Sequence, residues 1–154
     1  MTVNELATLK NLRRVSFTLA TSGQPNERQL ATIADEGFTV VINLALHDDP
    51  RYSLADETGT VTALGMQYFH IPVRFDHPTR ADLDAFFRAM TATEGRKRWI
   101  HCAANYRVSA FLGLYWTLIQ GQDQEQAFAL LRDVWQPNAT WATFIADQLQ
   151  SERS

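Results

Sequence analysis

The chain has 154 residues, of which 45% are hydrophobic, and its 14 Lys plus Arg against 17 Asp plus Glu give a formal net charge of -3. This size and apolar content suit a single compact domain over residues 1–154. The excess of acidic residues argues against a broad positive surface that would bind nucleic acid or an anionic membrane. Any anion-binding site must therefore be a local feature of the surface.

The chain contains one cysteine, which excludes an internal disulfide. Its first thirty residues lack a basic stretch followed by an apolar one, and the apolar run at residues 108–119 is too short to cross a bilayer. From these features we expect a cytoplasmic protein.

The first half of the chain alternates between strand and helix patterns. Residues 13–22 are rich in β-branched residues and lead to a Ser-Gly-Gln-Pro turn, and residues 26–37 then show helical spacing. The apolar run at residues 38–46 is typical of a strand covered on both faces, and residues 47–53 form a loop. A weak helix is predicted at residues 54–65.

The second half continues this alternation. Residues 66–73 predict a strand, and Thr79 resembles the start of a capping box for a helix through residue 93. Residues 96–101 predict the last strand, followed by helices at 108–119, 123–135 and 138–150. This order predicts a three-layer α/β fold with a mainly parallel sheet of about four to five strands flanked by helices. Ligands of such sheets bind at the carboxyl ends of the strands, where Cys102 falls.

Cys102 lies between the last predicted strand and the helix at residues 108–119. A single buried cysteine is usually an inert, small apolar side chain. Here, however, the thiol would lie at a helix N-terminus, whose backbone amides favour anions such as a thiolate. Arg107 adds a permanently charged, planar donor suited to phosphate oxygens. Together these groups predict a site for phosphate transfer.

The segment HCAANYRVS resembles the phosphate-binding loop of the cysteine-based protein-tyrosine and dual-specificity phosphatases, which is His-Cys, five residues, Arg, then Ser or Thr. SGQP, GFTVVINL and YFHIPV resemble segments of a bacterial group of tyrosine-phosphatase-like proteins, related to the phosphatase-like domain of beta-lactamase-hydrolase-like proteins. The resemblance covers residues 22–116. It implies a dual-specificity-phosphatase-like fold and a metal-independent phosphoric monoester hydrolase without a cofactor.

The resemblance also implies a role for each residue of the loop. Cys102 would be the nucleophile that takes the phosphoryl group, Ser109 would stabilise the leaving thiolate, and His101 would tune the nucleophile through the surrounding hydrogen bonds. An aspartate on a preceding loop would protonate the leaving oxygen. The phosphate would be bound by the segment made of Ala103, Ala104, Asn105, Tyr106 and Arg107.

The loop departs from the family pattern at two positions. The arginine lies five residues after the cysteine rather than six, and this shift corresponds to about 100° around a helix. The family glycine three residues after the cysteine is Asn105, and asparagine is among the few residues that tolerate a left-handed backbone. We expect the length of the Arg107 side chain to compensate for its shift.

Two further residues are candidates for the site. Asp76 lies in the loop after the strand at 66–73 and is our choice of general acid, although a solvated loop aspartate is an equal interpretation. Asn43 is polar within an apolar strand, so its amide must be bonded. It would brace the phosphate loop or bond the adjacent loop backbone. His47, Asp48 and Asp49 indicate a turn rather than a metal site.

The sequence therefore predicts a cysteine-dependent phosphatase that acts on a phosphorylated protein or a small phosphate ester and binds oxyanions such as phosphate, sulfate or vanadate. Two alternatives stay open. The shifted arginine is similar to the spacing of a rhodanese-like sulfurtransferase, and the same shift combined with an imperfect acid would suit a non-catalytic phosphate-binding pseudophosphatase.

Overall fold

Five short strands form one sheet in the computed structural model, which describes residues 5–50 and 53–151. Their spatial order is β1-β2-β5-β3-β4, and only the β1–β2 pair is antiparallel. The strands are β1 (Arg13–Ser16), β2 (Leu19–Ser22), β3 (Val40–Asn43), β4 (Gln67–His70) and β5 (Arg98–His101).

Helices cover both faces of the sheet. They are α1 (Glu27–Asp35), α2 (Glu57–Ala63), α3 (Arg80–Ala92), α4 (Tyr106–Leu118), α5 (Gln124–Ala127), α6 (Ala129–Val134) and α7 (Ala139–Ser151). Thr79 caps α3 in the predicted capping box with Asp82, and Asn138 accepts a hydrogen bond from the Trp141 amide at the start of α7. These side chains satisfy amides that the first helical turn leaves without partners.

The two faces of the sheet carry separate apolar clusters. Val41 and Trp99 pack with residues of α1 and α2, whereas Ile42 and Ile100 pack with residues of α3, α4 and α7. Alternate residues of each strand thus reach opposite faces, and both are buried. The structure confirms the predicted three-layer α/β fold with a mainly parallel sheet. No helix in the described ranges is both long and apolar enough to cross a bilayer.

Strand register brings four polar residues to one edge of the sheet. Ser22 and Asn43 both pair with His101, and Asn43 also pairs with His70. Each is the last residue of its strand. The loop after β5 therefore begins beside three other strand ends, which is the position predicted for the site.

Several predicted boundaries differ from the structure. Residues 13–22 form a hairpin rather than one strand, because the chain reverses at Phe17 and Thr18. The helix predicted at 123–135 is interrupted at Phe128, which leaves the α-helical conformation. The helix predicted from residue 108 begins at Tyr106. The weak helix at 54–65 is shorter and is capped by Asp56.

Gly113→Ala tests the packing of the interrupted helix against α4. Replacing an interior helical glycine by alanine normally stabilises a helix by about 0.5–1 kcal/mol. A Cβ at Gly113 would instead collide with the Phe128 ring. We expect urea denaturation to show a net destabilisation of about 1–3 kcal/mol, which Phe128→Ala in the same chain partly relieves. A stabilised Gly113→Ala protein would contradict this packing.

Candidate active site

Cys102 lies directly after β5 and is completely buried in the protein fold. Its amide donates to the Ser22 carbonyl at 3.3 Å, which ties the start of the loop to the end of β2. A pocket of about 250 Å³ opens over the loop and is lined by Lys10, Phe75, Cys102, Ala103, Ala104, Tyr106 and Arg107. The predicted nucleophile and the predicted arginine therefore share one pocket.

Asn105 supplies the sharp turn of the phosphate loop. Its backbone is left-handed with φ of 71°, as the sequence predicts. The side-chain amide nitrogen donates to the Asn11 carbonyl at 2.8 Å and to the Thr21 hydroxyl at 2.9 Å. Asparagine thus accepts the backbone conformation of the family glycine and also connects the loop to the segment before β1.

Two carbonyls of the loop face away from the pocket. The Ala103 carbonyl accepts from the Gln24 amide at 3.3 Å, and the Ala104 carbonyl accepts from the Asn11 side chain at 2.9 Å. In a planar trans peptide the N–H points opposite to the C=O, so the next amides are directed away from these partners. Sequence analysis missed Asn11, whose positive φ of 52° becomes visible only in the structure.

Arg107 reaches the pocket despite its shifted spacing. Because α4 begins at Tyr106, the arginine lies in the first helical turn. Its Nη1 donates to the Val73 carbonyl at 2.7 Å, and its Nε is buried without a hydrogen-bond partner. The guanidinium carbon lies 5.9 Å from the centre of the Phe75 ring. A buried, unpaired donor in the pocket that Cys102 also lines is suited to an incoming oxyanion.

Ser109 is buried two residues further along α4, but its hydroxyl is engaged elsewhere. It donates to the Tyr106 carbonyl at 2.9 Å and accepts from the Trp135 indole nitrogen at 3.1 Å. A hydroxyl has a single proton, so stabilising the Cys102 thiolate would require the Ser109 hydroxyl to turn. The predicted role of Ser109 is thus not served by the hydrogen bonds present.

Asp76 points to solvent rather than toward Cys102. Its side chain is 73% exposed and accepts two hydrogen bonds from Arg74, at 3.1 and 3.0 Å. These hydrogen bonds and the Arg74 charge lower the pKa of Asp76 from its ordinary value. The neighbouring Phe75 lines the pocket instead. This arrangement corresponds to the solvated loop aspartate considered for this position.

Two other carboxylates lie nearer the loop. Asp48 and Asp49, on the loop after β3, line a cavity of about 160 Å³ together with Ala103 and Arg107. The sequence indicates a turn at these positions, and no signal there identifies an acid. In the described part of the chain, no group of three or more His, Cys, Asp or Glu side chains is arranged to hold a metal ion.

His101 forms a buried pair that the sequence did not predict. Its Nε2 donates to the Glu57 carboxylate at 2.7 Å, and both side chains are fully buried. Gln24 donates to the other Glu57 oxygen at 2.6 Å. Burial alone would raise the pKa of Glu57, but the electrostatic interaction with His101 and hydrogen bonds with His101, Gln24 and Tyr68 lower it to about 2. Glu57 is therefore ionised at neutral pH.

Asn43 braces the loop after its own strand. Its oxygen accepts from the Ala45 amide at 2.8 Å, and its nitrogen donates to Tyr68 at 3.0 Å and to His47 at 3.1 Å. His47 stacks on His70 with ring centres 4.1 Å apart. The Asn43 oxygen thus bonds the adjacent loop backbone, which is the alternative considered for this residue, and its support of the loop after β5 stays a prediction.

Gly23→Ala tests how the turn after β2 holds the loop. A Cβ at Gly23 would lie 2.5 Å from the Ala103 carbonyl oxygen, so the loop must move. With a displacement cost of about 1–3 kcal/mol, we expect the affinity for vanadate to fall about tenfold in calorimetric titration. Gly95→Ala controls for a general loss of stability, because its Cβ meets open space while its left-handed backbone, with φ of 82°, strains an alanine in the turn after α3. Unchanged vanadate affinity in Gly23→Ala would contradict this contact.

The buried Glu57 carboxylate predicts that part of the protein's free energy of unfolding is lost at acidic pH. A depressed pKa contributes stability that is present above the unfolded value, near 4.5, and is lost as the pH falls toward about 2. We expect Glu57→Gln to unfold more easily than the unsubstituted protein at pH 6, with a difference that shrinks between pH 4.5 and 2. Urea denaturation across this range measures the difference, and a constant difference would contradict the prediction.

The chain is similar to a described protein family and to a curated bacterial protein. The family described as "Beta-lactamase hydrolase-like protein, phosphatase-like domain" matches residues 11–122. A beta-lactamase hydrolase-like protein of Xylella fastidiosa (strain Temecula1) is 35% identical over 95 residues, which are 60% of this chain and 22% of that protein. The chain thus aligns with about a fifth of the length of this curated relative.

Solved structures share the fold over almost the whole chain. A DUF442 protein of Shewanella putrefaciens CN-32 has a TM-score of 0.82 and 31% identity, with 98% of this chain and 99% of that one covered. The kinase associated phosphatase has a TM-score of 0.80 at 12% identity, with 96% and 98% covered. The fold is therefore that of the dual-specificity phosphatases.

Proposed function

Because the chain belongs to the family of the beta-lactamase hydrolase-like protein phosphatase-like domain, we propose that it hydrolyses phosphoric monoesters through a cysteinyl-phosphate intermediate. The observation that carries this proposal is the shared pocket of Cys102 and Arg107. The thiol and the buried, unpaired Nε of the arginine lie at the N-terminus of α4, a 13-residue helix that favours anions.

The charges around the pocket support an anionic substrate. Lys10 and Arg107 line the pocket over the loop, and the groups lining it include no carboxylate. Although the chain carries a formal net charge of -3, this pocket is thus lined by two positive groups. Phosphate, sulfate and vanadate are the oxyanions that we expect to bind there.

The proposed reaction has two steps. In the first, the Cys102 thiolate attacks phosphorus, an S–P bond forms, the ester P–O bond breaks, and the leaving oxygen takes a proton from a general acid. In the second, water attacks the phosphorus and the S–P bond breaks, releasing inorganic phosphate and the thiolate. The Arg107 guanidinium and the loop amides stabilise the charge on the phosphoryl oxygens in both steps.

The pocket rim favours aryl phosphates among the possible esters. Phe75 and Tyr106 line the pocket, with ring centres 6.3 Å apart, and Tyr106 stacks on Trp135 at 4.5 Å. Such a surface suits a flat aromatic leaving group, which gains from ring contacts with the protein. We therefore propose phosphotyrosine-type substrates, either on a protein or as a small aryl ester.

One observation favours a second candidate, a phosphate-binding domain without turnover. Asp76 pairs with Arg74 in solvent, and the Ser109 hydroxyl proton is committed to the Tyr106 carbonyl. Both groups that would assist the leaving oxygen and the leaving thiolate thus point elsewhere. This candidate shares the oxyanion site and differs only in the absence of hydrolysis.

Hydrolysis of p-nitrophenyl phosphate from pH 5 to 8, with EDTA present, tests the proposal. We expect turnover by the unsubstituted protein and only background rates in Cys102→Ser, because the hydroxyl is a much poorer nucleophile than a thiolate. Oxyanion binding without turnover would support the binding domain. If neither oxyanion binding nor turnover is found, the sulfurtransferase alternative is tested by an assay of thiosulfate-to-cyanide sulfur transfer.

The general acid is tested with leaving groups of different basicity. We propose that an aspartate supplies the proton, with Asp76 as the predicted donor and Asp48 and Asp49 as the carboxylates beside Arg107. Loss of the acid should lower turnover of phenyl phosphate by about 10²–10⁴-fold, and that of p-nitrophenyl phosphate much less. Asn substitution of each aspartate identifies the donor. Equal effects on both substrates would exclude that aspartate.

A further inference from the structure

We propose that Lys10 is a specificity-determining residue of the Cys102 pocket, and that it selects aryl phosphates whose leaving group carries a second negative charge, such as a carboxylate. The inference rests on the proposed oxyanion site and names the substrate class preferred there. The carboxylate would belong to a small acid or to an acidic residue beside a phosphotyrosine.

The first observation is that the backbone of Lys10 is anchored beside the loop after β5. Its carbonyl accepts from the Gly23 amide at 2.8 Å, and the side chain of the next residue, Asn11, donates to the Ala104 carbonyl at 2.9 Å. Two leucines of the preceding turn are buried in the apolar cluster of α1 and α2. The base of the Lys10 side chain is therefore held in place, and its side chain lines the pocket.

The second observation is that Lys10 is an exposed cation without a partner. Arg14, Arg28 and Arg74 are also exposed, and each forms an ion pair with a carboxylate. In the part of the chain that the structure describes, the side chain of Lys10 makes no hydrogen bond and no ion pair. Its ammonium group is thus available to an anion that enters the pocket.

The third observation is that the charges on the two sides of the site are opposite in sign. Ala103 and Arg107 line both the pocket and a neighbouring cavity of about 160 Å³. Lys10 lines only the pocket, and Asp48 and Asp49 line only the neighbouring cavity. A second negative charge would be attracted on the first side and repelled on the second. The site therefore favours an anionic substituent in one direction only.

The other groups of the pocket have partners on the substrate already. The phosphoryl oxygens are proposed to bind the loop amides and Arg107, and the rings of Phe75 and Tyr106 are proposed to contact an aromatic leaving group. Lys10 is the second of the two cations that line the pocket, so a charged substituent of the leaving group is the group left for it. A compact ammonium on a flexible stem suits a substituent whose position varies between substrates.

Binding of N-acetyl-O-phosphotyrosine and of its carboxamide tests the proposal, because the two compounds differ by one carboxylate. Calorimetric titration of Cys102→Ser measures their affinities without turnover. We expect the acid to bind about two- to fivefold more tightly than the amide, which is the effect of an exposed ion pair. This preference should shrink as the ionic strength rises, because salt screens exposed charges.

Substitutions of Lys10 in the same background identify the source of the preference. Lys10→Met should abolish it, Lys10→Arg should retain it, and Lys10→Glu should reverse it in favour of the amide. Arg88→Met is the matched control, because Arg88 is exposed on α3, carries the same charge and does not line the pocket. Its ratio of acid to amide affinity should equal that of the parent protein.

Peptides distinguish the two sources of the carboxylate. Three phosphotyrosine peptides are compared, with one glutamate directly before the phosphotyrosine, with one directly after it, or with none. A preference for one flank that depends on Lys10 indicates a protein substrate, whereas a preference confined to the amino-acid pair indicates a small ester. Either result supports the second anionic group.

Equal affinities for the acid and the amide, a preference that survives in Lys10→Met, or its loss in Arg88→Met would overturn the proposal. The proposed hydrolysis is judged separately. A preference that depends on Lys10, in a protein without turnover, would contradict the phosphatase function and support this inference. Turnover by the unsubstituted protein with equal affinities for the two compounds would support the phosphatase function and exclude this role of Lys10.

Discussion

A buried charge that must stay paired organises one side of the site. Glu57 lies in the interior, ionised, and its partners come from the turn after β2, from β4 and from β5. Removing one partner of such a pair costs about 3–5 kcal/mol, because the other charge is left uncompensated. The pair therefore ties α2 to β5, the strand that precedes Cys102. Asn43 extends the same hydrogen-bond chain to the loop after β3.

The other side of the site depends on backbone geometry. The phosphate loop turns through the left-handed Asn105, and its carbonyls are held by Asn11 and by the turn that contains Gly23. The Asn11 contact joins residues 93 positions apart in the chain. The loop is thus held from outside the pocket, and the pocket side is free for a ligand. Arg107, in the first turn of α4, completes the lining of the pocket.

Local patterns predicted much of the fold. Alternating strand and helix periods indicated the three-layer sheet, and the capping residues Thr79 and Asn138 marked true helix starts. These patterns missed the reversal at Phe17, because it lies within a run of β-forming residues. They also missed the break in the helix at Phe128. The break lies where the Phe128 ring packs against Gly113, a residue 15 positions away.

The sequence by itself determined the loop after β5: the order of Cys102, Asn105 and Arg107 sets the chemistry proposed for it, since each residue type has an intrinsic property that such a loop requires. Only the tertiary structure decided which groups surround it. Glu57 and Asn11 are ordinary in the sequence and become site residues because strand register and helix packing bring them to the loop. Asp76 is prominent in the sequence, but its neighbour Arg74 binds it in solvent. Burial and pairing are properties of the assembled fold, so no local pattern encodes them.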